Sequence, residues 1–151
     1  MALIQVREKV RFVETDMMGV VHHSNYLRWF EMARVEYLRS AGIELLDLMN
    51  DGIVFPITKV ECKYSASAVF DDWLLINAVM VSFNKAKMEF AYQVFREKDG
   101  KLLTEGFTQN LFTNSSGVIT RLPDCYFERL KEVASQDQPL PLWVKIMKGS
   151  V

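Results

Sequence analysis

Apolar and polar side chains alternate from the start of the chain. Ile4, Val6, Val10 and Phe12 share one parity, and Gln5, Arg7, Lys9 and Arg11 take the other. This period of two predicts a strand over residues 3–13, with Glu8 interrupting its apolar side. A turn follows around Met17–Val21, where Gly19 supplies backbone freedom. The period then changes. Tyr26, Phe30, Ala33, Tyr37 and Ala41 recur at helical spacing, with Leu27 and Leu38 widening the stripe, so Ser24 to Gly42 reads as the main helix. Ser24 or Asn25 is the candidate N-cap and Gly42 the candidate C′ residue. At ~1.5 Å per residue this helix is about 27 Å long, enough to cross a sheet.

The remainder is mainly strand. In VFPITKVECKY (54–64), Val60, Cys62 and Tyr64 alternate with Lys59, Glu61 and Lys63. Residues 72–83 are almost continuously apolar, as a central strand requires. Residues 86–97 alternate around Met88, Phe90, Tyr92 and Val94. EKDGK predicts a hairpin with a tight primed turn, because Asp-Gly favours one, and 101–113 return as the next strand. TNSSG marks a further turn before a short strand over 118–122. Asp124 then caps a short amphipathic helix, DCYFERLKEVA. One strand, one long helix and a run of antiparallel strands is an α+β order, not alternating βαβ. A single helix covers one face of such a sheet, and homo-oligomerisation would cover the other. We read residues 1–135 as one domain and 136–151, with two prolines and an apolar patch at Leu142 and Trp143, as a tail of unassigned structure.

Composition narrows the function. The chain has 151 residues, half of them hydrophobic and a quarter charged, which fits a single folded domain. A net charge of −1 removes the usual electrostatic reason for a nucleic-acid partner. Cys62 and Cys125 are isolated and lack metal-type spacing, which suits a reducing cytoplasm better than a disulfide scaffold. The N-terminus is no secretory h-region, and no apolar stretch reaches the ~20 residues of a membrane span. His22 and His23 are adjacent, so their side chains diverge, and no third ligand stands at a familiar distance. We expect no metal. No Gly-rich phosphate loop or nucleophile elbow occurs.

The informative stretch is FVETDMMGVVHHSNYLRWFEMAR, from Phe12 to Arg34. It sets a carboxylate, a glycine turn and two imidazoles before a helix. A helix N-terminus carries unpaired N–H groups and a partial positive charge, so it favours a nearby anion. On residues alone, Asp16 reads first as a turn aspartate bonding its own backbone, the commoner role of Asp in a loop. Met17 and Met18 read either as soft, adaptable contacts or as plugs beneath the turn.

This stretch resembles the opening of the hotdog-fold acyl-CoA thioesterases of the 4-hydroxybenzoyl-CoA thioesterase type, including the YbgC-like branch. The matching residues are Thr15, Asp16, Gly19, Val20, Val21, His23, Asn25, Tyr26 and Leu27. YSASAVFDDWLLINAVMV and LLTEGFTQNLFTNSSGVITRLPD resemble later parts of the family. The resemblance implies a hotdog fold, a five- or six-stranded antiparallel sheet wrapped around one long helix. It implies a cytoplasmic thioester hydrolase without metal or redox cofactor, acting on acyl-CoA as a homodimer or homotetramer. Acyl carrier protein thioesters, or acyl-CoA binding without catalysis, are its alternatives. Asp16 would be nucleophile or general base, and backbone N–H groups at the helix entrance would polarise the carbonyl. His23 would be the second catalytic residue, lining the pocket through its N–H, its ring or both. Gly19, Val20, His22, Asn25 and Tyr26 would shape it, with His22 standing where an aromatic is usual. Lys85, Lys87 and Arg121 are candidates for the phosphates of the CoA arm, Lys85 replacing an arginine.

Overall fold

The computed structural model describes residues 3–134 together with Trp143 and Val144. Five strands form one antiparallel sheet in the order β1-β3-β4-β5-β2. They are β1 (Leu3–Lys9), β2 (Ile57–Tyr64), β3 (Trp73–Phe83), β4 (Lys87–Arg96) and β5 (Lys101–Leu111). Helix α1 (Asn25–Ser40) lies across one face, followed by the six-residue α2 (Leu45–Asn50), and α3 (Asp124–Ala134) closes the described domain. This is the α+β hotdog arrangement.

The buried face of α1 carries Tyr26, Phe30, Ala33, Tyr37 and Leu38, the positions that the helical period selects. Phe30 stacks on Tyr92 of β4 with ring centroids 4.3 Å apart. It also lies over Gly106 of β5, where a β-carbon would fall 2.3 Å from Phe30 Cε2. Absence of a side chain at that one position lets the helix seat on the sheet. Arg34 is buried beside them, and its Nη1 donates to Tyr92 Oη at 3.0 Å. The Tyr92 hydroxyl also meets Thr108 Oγ1 at 2.7 Å. Burial is the main cause that pushes the Tyr92 hydroxyl upward in pKa. On the opposite face of the sheet, Val79, Val81 and Ala91 pack with Val144.

Several local expectations need correction. The first strand ends at Lys9 because Val10 turns inward, exchanging backbone hydrogen bonds with residues 71 and 72. Phe12–Glu14 then form a 3-10 turn that leaves Phe12 exposed. Residues 118–122 make no strand, and Ile119 forms only an isolated bridge to Thr113. In EKDGK only Gly100 has positive φ, so the turn is not the primed type. It runs through four residues, with Gly100 N donating to Arg96 O at 2.8 Å, and the register slips at Val94/Phe95. Ser24 is already helical and makes no side-chain cap. Gly42 does end α1 in the left-handed region, with Ile43 N donating to Leu38 O.

Both cysteines are free; Cys125 is exposed and Cys62 half-buried on β2. Burial pushes the Cys62 thiol up, so less of it is thiolate at neutral pH. We expect an alkylating reagent at pH 7.5 to label Cys125 first and Cys62 slowly, read by peptide mass spectrometry. Equal labelling of the two would contradict this environment.

Candidate active site

The candidate site is built where the chain returns from β1 to α1. Thr15 and Val21 form an antiparallel bridge around a tight loop. Inside it, Asp16 N donates to Val20 O at 2.9 Å and Gly19 N donates to Asp16 O at 3.0 Å. Gly19 has φ 78°, where a side chain would be strained. The Asp16 carboxylate accepts the Met18 N–H at 2.8 Å through Oδ1. The turn role and the loop placement therefore coincide in one residue. Met17 and Met18 plug nothing, because both side chains are exposed.

This loop is fastened to the mouth of α1. The Glu14 carbonyl accepts two donors, His22 N at 2.9 Å and Asn25 Nδ2 at 2.8 Å. Asn25 Nδ2 also reaches His22 O at 3.3 Å. Asn25 therefore orients the entrance, and it does so from a buried position. Glu14 was not legible as a site residue. The residue is 3% exposed, and Oε1 accepts the Arg11 N–H at 2.7 Å. Spacing from Arg11 to Glu14 was the available signal, but a lone Glu ahead of a turn carries no burial information. We expect Asn25→Ala to cost about 1–3 kcal/mol, because it strips one donor from a buried carbonyl cluster. Urea denaturation would measure this. A loss under ~0.5 kcal/mol would show that water replaces the amide at no cost.

The two histidines differ. His22 Nδ1 accepts the Ser24 N–H at 3.2 Å, which makes the Ser24 hydroxyl the donor in their 2.8 Å contact. Contrary to the divergence expected of neighbours, the His23 ring lies 4.2 Å from the His22 ring, because neither residue is in regular helix or strand; it also meets Tyr64 edge-on at 6.2 Å. Tyr64 Oη donates to the His23 carbonyl at 3.2 Å, which ties β2 to the helix mouth. Tyr64 is pushed up to about 12, first by desolvation and then by Cys62, so it stays a donor throughout the neutral range. Tyr26 is a core residue between Trp29 and Tyr64.

A second loop forms the floor. Val21 N donates to Ala68 O at 2.9 Å. Arg96 Nη1 holds Ser67 O at 3.0 Å, and buried Asp72 accepts the Val69 N–H at 3.0 Å.

Lys85, Lys87 and Arg121 stand elsewhere. Lys85 and Lys87 flank the β3–β4 turn, and Lys85 O accepts the Leu122 N–H at 2.8 Å. Strand β3 begins beside the floor loop, and its eleven residues carry the chain roughly 34 Å away. Lys85 pairs with Asp124 and Lys87 with Glu89. Asp124 is held below the usual carboxylate range by its hydrogen bond from Lys85, with Arg121 adding to it. A single chain therefore does not bring these three cations to Asp16. Among the described residues, no three His, Cys, Asp or Glu side chains form a metal-sized cluster, and no helix is long and apolar enough to cross a membrane.

Known proteins share this architecture. The chain is 31% identical over 86 residues to the acyl-CoA thioester hydrolase YbgC of Escherichia coli, a match covering 57% of this chain and 64% of that one. A hypothetical protein from Thermus thermophilus superimposes with a TM-score of 0.81 at 34% identity, over 86% of this chain and 98% of that one. The DHNA-CoA thioesterase of Staphylococcus aureus does so with a TM-score of 0.82 at 28% identity, over 100% and 97%. The model of the thioesterase superfamily matches residues 18–103, a span that begins two residues after Asp16, runs through α1, β3 and β4, and takes in more than half of the chain. With that match laid over a five-stranded sheet and its one long helix, the chain belongs to the thioesterase superfamily.

Proposed function

We propose that this protein hydrolyses acyl-CoA thioesters to free acid and CoA. The observation that carries the reading is the clamp at the helix mouth. The Glu14 carbonyl, bonded to both His22 N and Asn25 Nδ2, holds the Asp16 loop against the N-terminal end of α1. Asp16 supplies a carboxylate oxygen, either directly to the thioester carbonyl or through a water that it deprotonates. Oδ1 is engaged by Met18 N–H, which leaves Oδ2 for substrate. In this reading the oxyanion is received by the α1 entrance amides that are not already engaged, since Asn25 N donates to His22 O and Leu27 N to Ser24 O. One such donor is typically worth about 2.7–4 kcal/mol in the transition state. His23 lines the entrance beside Tyr64. The YbgC relative, named an acyl-CoA thioester hydrolase, supports the same chemistry.

The active unit in this proposal is a homodimer. Strand β2 is one of the two sheet edges, β1 being the other, and its side chains Ile57, Val60 and Tyr64 are exposed. An unpaired edge with apolar side chains is a template for another strand. A two-fold axis through β2 pairs it with itself antiparallel. The far end of one chain, with Lys85, Lys87 and Arg121, then comes toward the helix mouth of the other. This would bring to the site three cations that do not reach it within one chain. CoA is favoured over an acidic carrier protein because the YbgC relative is named an acyl-CoA thioester hydrolase. A non-catalytic binder would have no use for Asp16.

Release of CoA from an acyl-CoA panel, followed with a thiol-trapping dye, tests the activity. Light scattering tests the assembly and should give twice the chain mass. No CoA release from any acyl-CoA would end the hydrolase reading, and a monomer with full activity would end the two-chain site.

A further inference from the structure

Helix α1 begins one residue later than its backbone would allow. Ser24 already has helical dihedral angles, φ −64° and ψ −24°, yet the first residue of the helix is Asn25. The donor that one more α-helical bond would bring to His23 O is Leu27 N–H. It reaches Ser24 O instead, at 3.3 Å. The His23 carbonyl is taken from outside the helix, by the Tyr64 hydroxyl of β2 at 3.2 Å. The Tyr64 ring is set against the helix mouth, 5.5 Å from the ring of Tyr26, and Tyr26 is itself fixed in the core. Tyr64 keeps its proton throughout the neutral range, so it is a permanent donor.

We propose that Tyr64 is a positioning residue for His23. By drawing the His23 carbonyl out of the helix, it sets where α1 starts and where the His23 ring lies. The inference rests on the reading of the helix mouth as the site of hydrolysis, with His23 at its entrance. Without the hydroxyl, His23 O has two other donors in reach of its lone pairs, water and Leu27 N–H. The second would lengthen α1 by one residue, tighten the chain at His23 and re-aim its ring. Such a change matters because a displacement of about 1 Å at a reacting group can cost as much as 10²-fold in rate. Tyr64 acts from a strand 41 residues away in sequence, so β2 and the helix mouth are mechanically one unit. The edge strand that carries Tyr64 thereby sets the geometry of a residue on the other side of the site.

The test compares wild type with Tyr64→Phe, alone and in a His23→Ala background, in acyl-CoA hydrolysis. Phenylalanine keeps the ring against Tyr26 and removes only the hydroxyl, so the variant keeps its fold. We expect Tyr64→Phe to lower kcat by about two- to twelvefold, the span of one neutral hydrogen bond, with KM changed by less than about twofold. In the His23→Ala background the same substitution should change kcat by less than about twofold, because the group it positions is gone. A purely structural role for Tyr64 would not depend on His23 in this way. A second arm needs no turnover. In isotopically labelled protein, the NMR resonances of the His23 carbonyl carbon and the Leu27 amide proton should both shift in Tyr64→Phe. Those shifts support the clamp even if no acyl-CoA is cleaved or His23→Ala is too slow to follow, which separates its failure from failure of the hydrolase reading. An unchanged kcat in an active enzyme, a full effect in the His23→Ala background, a fall in activity matched by a fall in folded protein, or unmoved His23 and Leu27 resonances would overturn the proposal.

Discussion

Alanine at position 16 is expected to reduce acyl-CoA hydrolysis by about 10²–10⁴-fold, the range a positioned base contributes, while the protein stays folded. The structure makes the control unusually clear. Asp16 has a local job, because its Oδ1 caps the Met18 N–H at 2.8 Å. Losing that bond costs about 0.5–1.5 kcal/mol, far too little to unfold a domain with this core. Asparagine keeps an acceptor for the Met18 amide but cannot attack a carbonyl or take a proton from water. Asp16→Asn should therefore keep the melting temperature and lose the activity. If asparagine is as active as wild type and alanine is merely less stable, the residue is a turn former and the chemistry lies elsewhere. Where Asp16→Asn loses the activity, a single turnover in isotopically labelled water tests the route. Direct attack forms a mixed anhydride with loss of CoA thiolate, and water adding at its Asp16 carbonyl leaves an Asp16 oxygen in the acid and puts the label on Asp16, whereas water activated by Asp16 puts solvent oxygen in the acid and leaves Asp16 unlabelled.

The second large effect concerns stability. Gly106→Ala places a methyl 2.3 Å from Phe30 Cε2 and 2.4 Å from Cζ. Real side chains do not approach so closely, so Phe30 must move. It is stacked on Tyr92 and is fully buried, so its movement disturbs the centre of the helix–sheet contact. Overpacking of this kind typically costs about 1–3 kcal/mol, and more where the neighbour cannot give. We place Gly106→Ala at the upper end, read by urea or thermal denaturation. A compensating Phe30→Leu should recover part of the loss, giving a coupling energy of about 0.5–3 kcal/mol in a double-mutant cycle. A Gly106→Ala protein as stable as wild type would mean that α1 lifts from the sheet freely. Because Asn25 and the Asp16 loop hang on the same helix, a displaced Phe30 should also lower activity.

Much of the fold was readable from local spacing. The period-two runs located the strands to within a few residues, and DCYFERLKEVA is the helix that the structure contains. The helical stripe from Tyr26 to Tyr37 is the buried face of α1. The short α2 went unread, since six residues are too few to show a period. The strand expected over 118–122 did not form, and its side chains Val118 and Ile119 are exposed. The tail expected over 136–151 lies outside the described residues except for Trp143 and Val144.

The sequence by itself determined the elements and their order, because backbone periodicity and turn chemistry act between residues a few positions apart. It also carried the resemblance that singled out Asp16, which neighbouring residues within one loop sufficed to express. Only the tertiary structure decided which groups meet. It buried Glu14 and turned its carbonyl into the clamp for Asn25, and it put Gly106 under Phe30 from a position 76 residues away. It left Met17 and Met18 on the surface, and it sent Lys85, Lys87 and Arg121 to the opposite end of the sheet. These are contacts between distant segments, fixed by strand register and by how one helix lies on a sheet, and no local pattern of side chains encodes them.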